Sequence, residues 1–172
     1  MIQIKDKDDV YLIASTRFNT ETYAANQRYR RKHNIAAIYG SNMLIREKYP
    51  LYAITFVVEM NNNTNEIEGI GQIRNHASCQ ELKRVYTDDS HYEYNAYFYK
   101  GPKWISRTSI AKKDPDLLVI FENILFKKKT HMKRQAGITV LTEQLLENWM
   151  SEKKRIKEGM RNLVLRILRV FD

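Results

Sequence analysis

The amino-acid sequence predicts an α+β fold: a small half-open β-barrel flanked by helices, with an amphipathic helix added at the C-terminus. Three observations carry this expectation. Most apolar stretches are short, β-branched and closed by turn residues, as in Val10–Thr16 and Tyr52–Met60. Helical signals are few and separate the strands in the order strand, helix, about five strands, helix, strand, helix. The last residues place apolar side chains at a helical period.

Val10–Thr16 (VYLIAST) follows Asp8-Asp9 and precedes Asn19-Thr20, which makes it a buried strand. Asn19 or Thr20 then caps a helix running to about Asn34. Glu21 near its start and Arg30, Arg31 and Lys32 near its end suit the helix dipole. Ile35–Ile45 reads as a strand interrupted at Gly40-Ser41. Tyr52–Met60, the polar turn Asn61–Asn65 and Glu66–Arg74 form the clearest local signal, a β-hairpin. Gly69 and Gly71 share one face of its second strand and permit a bend or a close approach.

Glu81–Tyr86 and Tyr92–Tyr99 are further predicted strands, the second ended by Lys100-Gly101-Pro102, and Trp104–Ile110 is expected to add another. Pro115 marks a helix start, so Asp116–Phe126 should be helical. Lys127–Arg134 is a basic connector and Gly137–Leu141 a short strand or extended arm. From Thr142 onward the pattern is helical. The expected division is one domain over residues 1–141 and a basic amphipathic helix over residues 142–172.

The chain has 172 residues, 43% of them hydrophobic, which is enough for a core. Lysine and arginine total 29 against 20 acids, a net charge of +9, which favours a polyanionic partner. The single cysteine, Cys79, fits a reducing, intracellular and cytoplasmic setting. The N-terminus has too many acids and too short an apolar run for a signal peptide, and no stretch is long enough to span a bilayer. Membrane association is therefore not expected.

Catalytic and metal-binding patterns are missing. His33, His76, His91 and His131 have no ligand spacing, and no phosphate-binding loop, nucleophile elbow or paired-histidine zinc motif occurs. Glu66–Gly71 superficially resembles a glycine-rich loop but lies in a hairpin strand. Cys79 with His76 has chance spacing. The expectation is a non-enzymatic protein without cofactor or metal.

What is present is a mixture of rings and cations. Eleven tyrosines and two tryptophans accompany three basic runs. These are Arg28, Arg30, Arg31 and Lys32; Lys127, Lys128, Lys129, Lys133 and Arg134; and Lys153, Lys154, Arg155 and Lys157. Stacking rings and phosphate-neutralising cations are the two terms that hold single-stranded nucleic acid. About half of the rings are expected to be structural. In Tyr92–Tyr99 alternation places Tyr92, Tyr94 and Phe98 on one face and Tyr97 and Tyr99 on the other.

Over Val10 to Leu141 the order strand, helix, strand, hairpin resembles the YTH domain and the related EVE domain of the PUA-like superfamily. The stretches that carry the likeness are VYLIAST, LYAITFVVEM and EIEGIGQIRN. The resemblance implies a PUA-like half-barrel reading a modified base, foremost adenine methylated at N6. By position it implies a base pocket with Ser15 and Thr16 on the floor and Tyr39, Gly40 and Ser41 after the first helix. Tyr86 follows the hairpin, His91 or Tyr92 forms a third wall, and Asn19 or Thr20 meets the adenine edge. The family has tryptophan where this chain has tyrosine or histidine, which puts methyl selectivity in doubt. Arg28, Arg31, Lys32, Lys127, Lys128, Lys129, Lys133 and Arg134 would contact the RNA backbone. The short, tail-bearing form looks like YTH-like proteins of large DNA viruses, which implies the host cytoplasm.

In the tail, Ile156, Met160, Leu163, Val164, Ile167, Leu168 and Phe171 form an apolar stripe opposite Lys153, Lys154, Lys157, Arg161 and Arg169. That stripe has three possible destinations: its own domain, a partner protein or second copy, or an anionic membrane. A scaffold protein whose tail helix docks a partner is accordingly the alternative to an RNA reader.

Overall fold

The computed structural model describes residues 2–3, 9–45, 47–78, 95–127, 132–145 and 159–172. The predicted strand Glu81–Tyr86, the positions of Tyr86, His91 and Tyr92, and Lys128 and Lys129 lie outside them. Ile156 and the third basic run do so as well.

In chain order the elements are β1 (Ile2–Gln3), β2 (Val10–Phe18), α1 (Thr20–His33), β3 (Ala37–Ser41), β4 (Ile54–Asn61) and β5 (Glu66–Arg74). β6 (Tyr97–Gly101), β7 (Lys103–Ser106), α2 (Arg107–Lys113), α3 (Pro115–Phe126), β8 (Thr139–Val140) and α4 (Met160–Phe171) follow. The fold is α+β, as expected. A six-stranded mixed sheet runs β1-β2-β4-β5-β7 with β8 also on β2, and β3 pairs with β6 in a separate two-stranded sheet. The sheets are not closed into a barrel.

β2 and β4 are parallel, from Tyr11 opposite Ile54 to Phe18 opposite Asn61, with α1 and β3 in the crossover. Asn19 caps α1: its Oδ1 accepts from the Thr22 amide at 2.7 Å, and its own amide donates to Thr22 Oγ1 at 3.0 Å. The predicted hairpin is present as β4–β5. Its turn holds Asn65 at φ 58°, which asparagine tolerates well. The pairing shifts between Glu59 and Met60, where Gly69 and Ile67 stand opposite. Glu68 is therefore an extra residue, a bulge that lets Ile67 and Ile70, three apart, join the same core.

Two stretches depart from expectation. β7 stops at Ser106, whose Oγ accepts from the Ser109 amide at 3.2 Å, so Arg107–Lys113 is helix where the sequence suggested strand to Ile110. β6 and β7 are separated by Pro102 alone, so one bent run of chain leaves the small sheet and joins the large one. Gly101 permits this bend: a Cβ there would overlap the Gln72 carbonyl of β5.

The large sheet has a core on each face. On one side Tyr11, Ile13, Phe56, Val58, Ile67 and Ile70 meet α3 and α4 through residues such as Phe121, Leu163 and Ile167. On the other, Ala14, Phe18, Val57 and Ile73 meet Tyr39 and Tyr99 of the small sheet. Beyond that sheet Ile38 and Phe98 pack against Tyr29 and Ile35. Among the described residues no helix is long and apolar enough to cross a membrane.

The tail stripe is therefore spent inside the chain. Met160, Leu163, Val164, Ile167 and Val170 are buried, and Phe171 lies 5.7 Å from the Phe56 ring. Arg166 Nε donates to Asp114 Oδ2 at 2.8 Å, and Lys113 Nζ donates to the Val170 carbonyl at 3.1 Å. Over its described length the helix belongs to the core rather than to an appended segment. Of the three destinations open to the stripe, the described residues Met160–Phe171 take the first, the chain's own domain, while Ile156 lies outside the described residues.

Candidate nucleic-acid interface

The backbone order places Tyr39 in the middle of β3, opposite Tyr99 of β6. Alternation turns its ring inward, where it is fully buried. The Tyr39 hydroxyl donates to Glu59 Oε1 at 2.7 Å, and Gly71 leaves the space for it, since a Cβ there would overlap that hydroxyl. A solvent-open cage on Tyr39 is excluded by this burial. Tyr39 is a core residue.

The other described residues of the predicted pocket are dispersed. Ser15 Oγ donates to Met132 Sδ at 3.9 Å on the helical face of the sheet, and Thr16 is buried. Gly40 is covered by the Asn95 side chain, and buried Ser41 donates from Oγ to the Met43 carbonyl at 2.6 Å. Asn19 is occupied in capping α1. The Thr20 amide donates to Asn63 Oδ1 at 3.0 Å, at the hairpin tip. Ser15, Thr16, Asn19, Thr20 and Tyr39 do not converge on one open site.

Glu59 organises the interior behind β3. It is wholly buried, and Arg30 Nη1 of α1 donates to its Oε1 at 3.1 Å. Arg30 also donates to the Ala36 carbonyl, and its guanidinium lies 4.4 Å from the Trp104 ring centre. Burial pushes the Glu59 carboxyl above its ordinary value, while Arg30, Trp104 and Tyr39 oppose the rise. The Trp104 indole N–H bears on this carboxylate without completing a hydrogen bond, and Glu59 Oε2 has no partner among the described residues. Gly69 makes room for that ring: a Cβ there would stand 2.8 Å from Trp104 Nε1.

Arg30 and Trp104 also line an open cleft of about 960 Å³ between the end of α1 and the β6–β7 bend. Arg31 and Lys100 supply its exposed cations, Gln27 and Asn34 its amides, and Pro102 and the half-buried Trp104 an apolar wall. No acid lines it among the described residues. Arg28 and Lys32, also exposed on α1, add charge nearby. Thus the first basic run divides. Arg30 is consumed internally, whereas Arg28, Arg31 and Lys32 face solvent.

Lys133 and Arg134 of the second basic run lie toward the other end of α1. Arg17 Nη1 and Asn62 Nδ2 donate to the Lys133 carbonyl at 2.9 and 3.0 Å, which ties this segment to the hairpin tip. Lys127 and Arg134 are exposed, and the Lys133 amine stands 5.9 Å from the Phe126 ring. The length of α1, about 20 Å at the helical rise, separates the two groups.

Trp104 escaped the sequence reading as a site residue. Its cation partner lies 74 positions away, Arg30 to Trp104, and no local pattern links them. The available signal was its flanks, Lys100 and Lys103, beside a glycine–proline bend. Comparison with known proteins found no matching family model, no curated protein and no solved structure.

Proposed function

We propose that this chain is a non-enzymatic, single-stranded RNA-binding module whose main contact surface is the cleft at the end of α1. The observation that supports this is the pairing of Arg31 and Lys100, cations from two separate elements, around the exposed part of Trp104. Phosphates would meet the cations, while a base would lie against Trp104 and Pro102. Lys127, Lys133 and Arg134 would take phosphates farther along the strand. Kinship with the YTH and EVE domains, a PUA-like description of the two sheets, a viral source and an intracellular location belong to this proposal. The element order and the single cysteine support them. Packing of Met160, Leu163, Val164 and Ile167 in the chain's own core supports the RNA reading over the alternative, a scaffold protein whose tail helix docks a partner.

The test is binding of a labelled single-stranded RNA 12-mer across a salt series. With four to six phosphates neutralised, log K should fall against log salt with a slope of roughly −3 to −4. The double variant Arg31→Glu/Lys100→Glu should flatten that slope by about 1.4, two contacts' worth. A flat response in the parent protein, or an unchanged slope in the variant, would overturn the proposal.

A further inference from the structure

Resting on the RNA reading above, we infer that the stacked Tyr52–His76 pair is a second base-stacking site, to which a strand leaving the cleft extends. Three observations carry it. Tyr52 is the third residue of the turn Pro50–Ala53, closed by the Ala53 amide donating to the Pro50 carbonyl at 3.3 Å. Its φ is 64°, a conformation in which glycine or asparagine is unstrained and a bulky side chain is not. The strain is held on both sides. The Tyr52 amide donates to the Asn75 carbonyl at 3.1 Å, and Arg74 Nη1 donates to the Tyr52 carbonyl at 3.1 Å.

That conformation does not serve packing. Tyr52 is 53% exposed, and its ring lies nearly parallel to the His76 ring, centroids 4.9 Å apart and planes at 12°. A strained residue that holds a stacked ring pair open to solvent, with an outer ring face free to extend the stack, marks a binding site rather than a core contact. The ligand it suits is another flat π-system. In a chain of net charge +9, with the exposed Arg74 adjoining and paired loosely, at 3.9 Å, with the partly exposed Asp9, the single-stranded nucleobase is the matching class.

The platform is also within reach of the cleft. Gly101 on the cleft rim abuts the Gln72 carbonyl of β5, and His76 follows four residues later. Over that interval the chain covers at most about 13 Å, less where the His76 amide turns back to donate to the Arg74 carbonyl at 2.7 Å, a span a few nucleotides bridge.

The experiment measures binding of fluorescein-labelled twelve-residue oligoadenosine RNA to the full chain, with inorganic polyphosphate as a base-free competitor. Tyr52→Gly should weaken RNA binding about ten-fold, leave polyphosphate competition unchanged, and keep or raise the thermal midpoint. Tyr52→Leu should lose the same affinity and Tyr52→Phe should keep it, so the ring is tested apart from the turn. Parental affinity in Tyr52→Gly and Tyr52→Leu, with Lys100→Glu still weakening RNA, overturns the platform and leaves the cleft reading standing. No binding by the parent protein overturns both. Equal weakening toward RNA and polyphosphate in Tyr52→Gly also overturns the platform, because stacking needs a base.

Discussion

The two faces of the large sheet are built on opposite principles. The helical face is dominated by apolar side chains, with Phe56, Phe121, Leu163 and Ile167 in one buried cluster and Ser15 as a buried hydroxyl among them. The face toward the small sheet buries a carboxylate, a guanidinium and a phenol hydroxyl, and holds an indole N–H against them. Apolar burial is favourable without conditions, whereas a buried ion pair must recover its desolvation cost through geometry. Under the proposed function, the contrast separates stability from recognition. The dry face secures the fold, and the polar face stiffens the cleft wall made by Arg30 and Trp104.

The most severe way to break this comparison is through the dry face. Phe121→Ala removes a fully buried ring from the centre of the helical core and should cost about 3–5 kcal/mol in urea unfolding. A cost below 1 kcal/mol would mean that α3 is not the central buttress described here.

Arg30→Ala examines the polar face. It strands Glu59, already short of a partner at Oε2, and should destabilise by about 3 kcal/mol. The pH dependence has a definite sign. Burial raises the folded carboxyl above its ordinary 4.5, so the folded state holds the proton more tightly than the unfolded chain. The associated stability is complete below about 4.5 and is lost as pH rises through the folded value. The advantage of the parent over Glu59→Gln should therefore be largest near pH 4 and shrink toward pH 7. The opposite trend in chemical denaturation would show that Arg30, not burial, dominates.

A smaller effect sharpens the dry side. Asp114 caps α3 through the Leu117 amide at 3.2 Å and also pairs with Arg166 of α4, which stitches two helices together. Asp114→Ala should cost about 1–2 kcal/mol. Hydrogen bonding from Arg166 holds the carboxyl below its ordinary 3.8, so this contribution is present above that value and disappears as pH falls through the folded one. Arg166→Gln should remove most of the pH dependence and leave the cap.

The contrast between faces also explains what the sequence could disclose. The hairpin was legible because Asn61–Asn65 interrupts two alternating runs, and α1 and α3 because Asn19 and Pro115 mark their starts. The stripe Met160–Phe171 was legible as a helix face, though not its destination, since burial against Phe56 depends on residues a hundred positions away. Alternation assigns Tyr39 to a face but does not say whether that face opens to solvent. Nothing local foretold that the chain would bend at Gly101-Pro102 and bring Trp104 beside Arg30. Ser106 is the instructive miss: a serine three residues before another polar residue is a cap signal, hidden by the strand-like Lys103–Ile105 before it.

The smallest expected effect concerns N6-methylation of the bound adenine. Burying one methyl contributes about 0.8 kcal/mol, roughly a four-fold gain in affinity, so an enclosing cage should prefer methylated RNA by at least that factor. Tyr39, the ring that positional analogy assigned to such a cage, is sealed inside and hydrogen-bonded to Glu59. The cleft offers the edge of Trp104, Pro102 and two amides, an open wall on which a methyl stays largely in water. Methylated and unmodified versions of one oligonucleotide should therefore bind within about two-fold of each other, even though both respond steeply to salt. A ratio of ten or more would relocate the base to an enclosed pocket away from Trp104. Tyr86→Ala and Tyr92→Ala would then be the variants to abolish it, and Trp104→Ala would leave it intact.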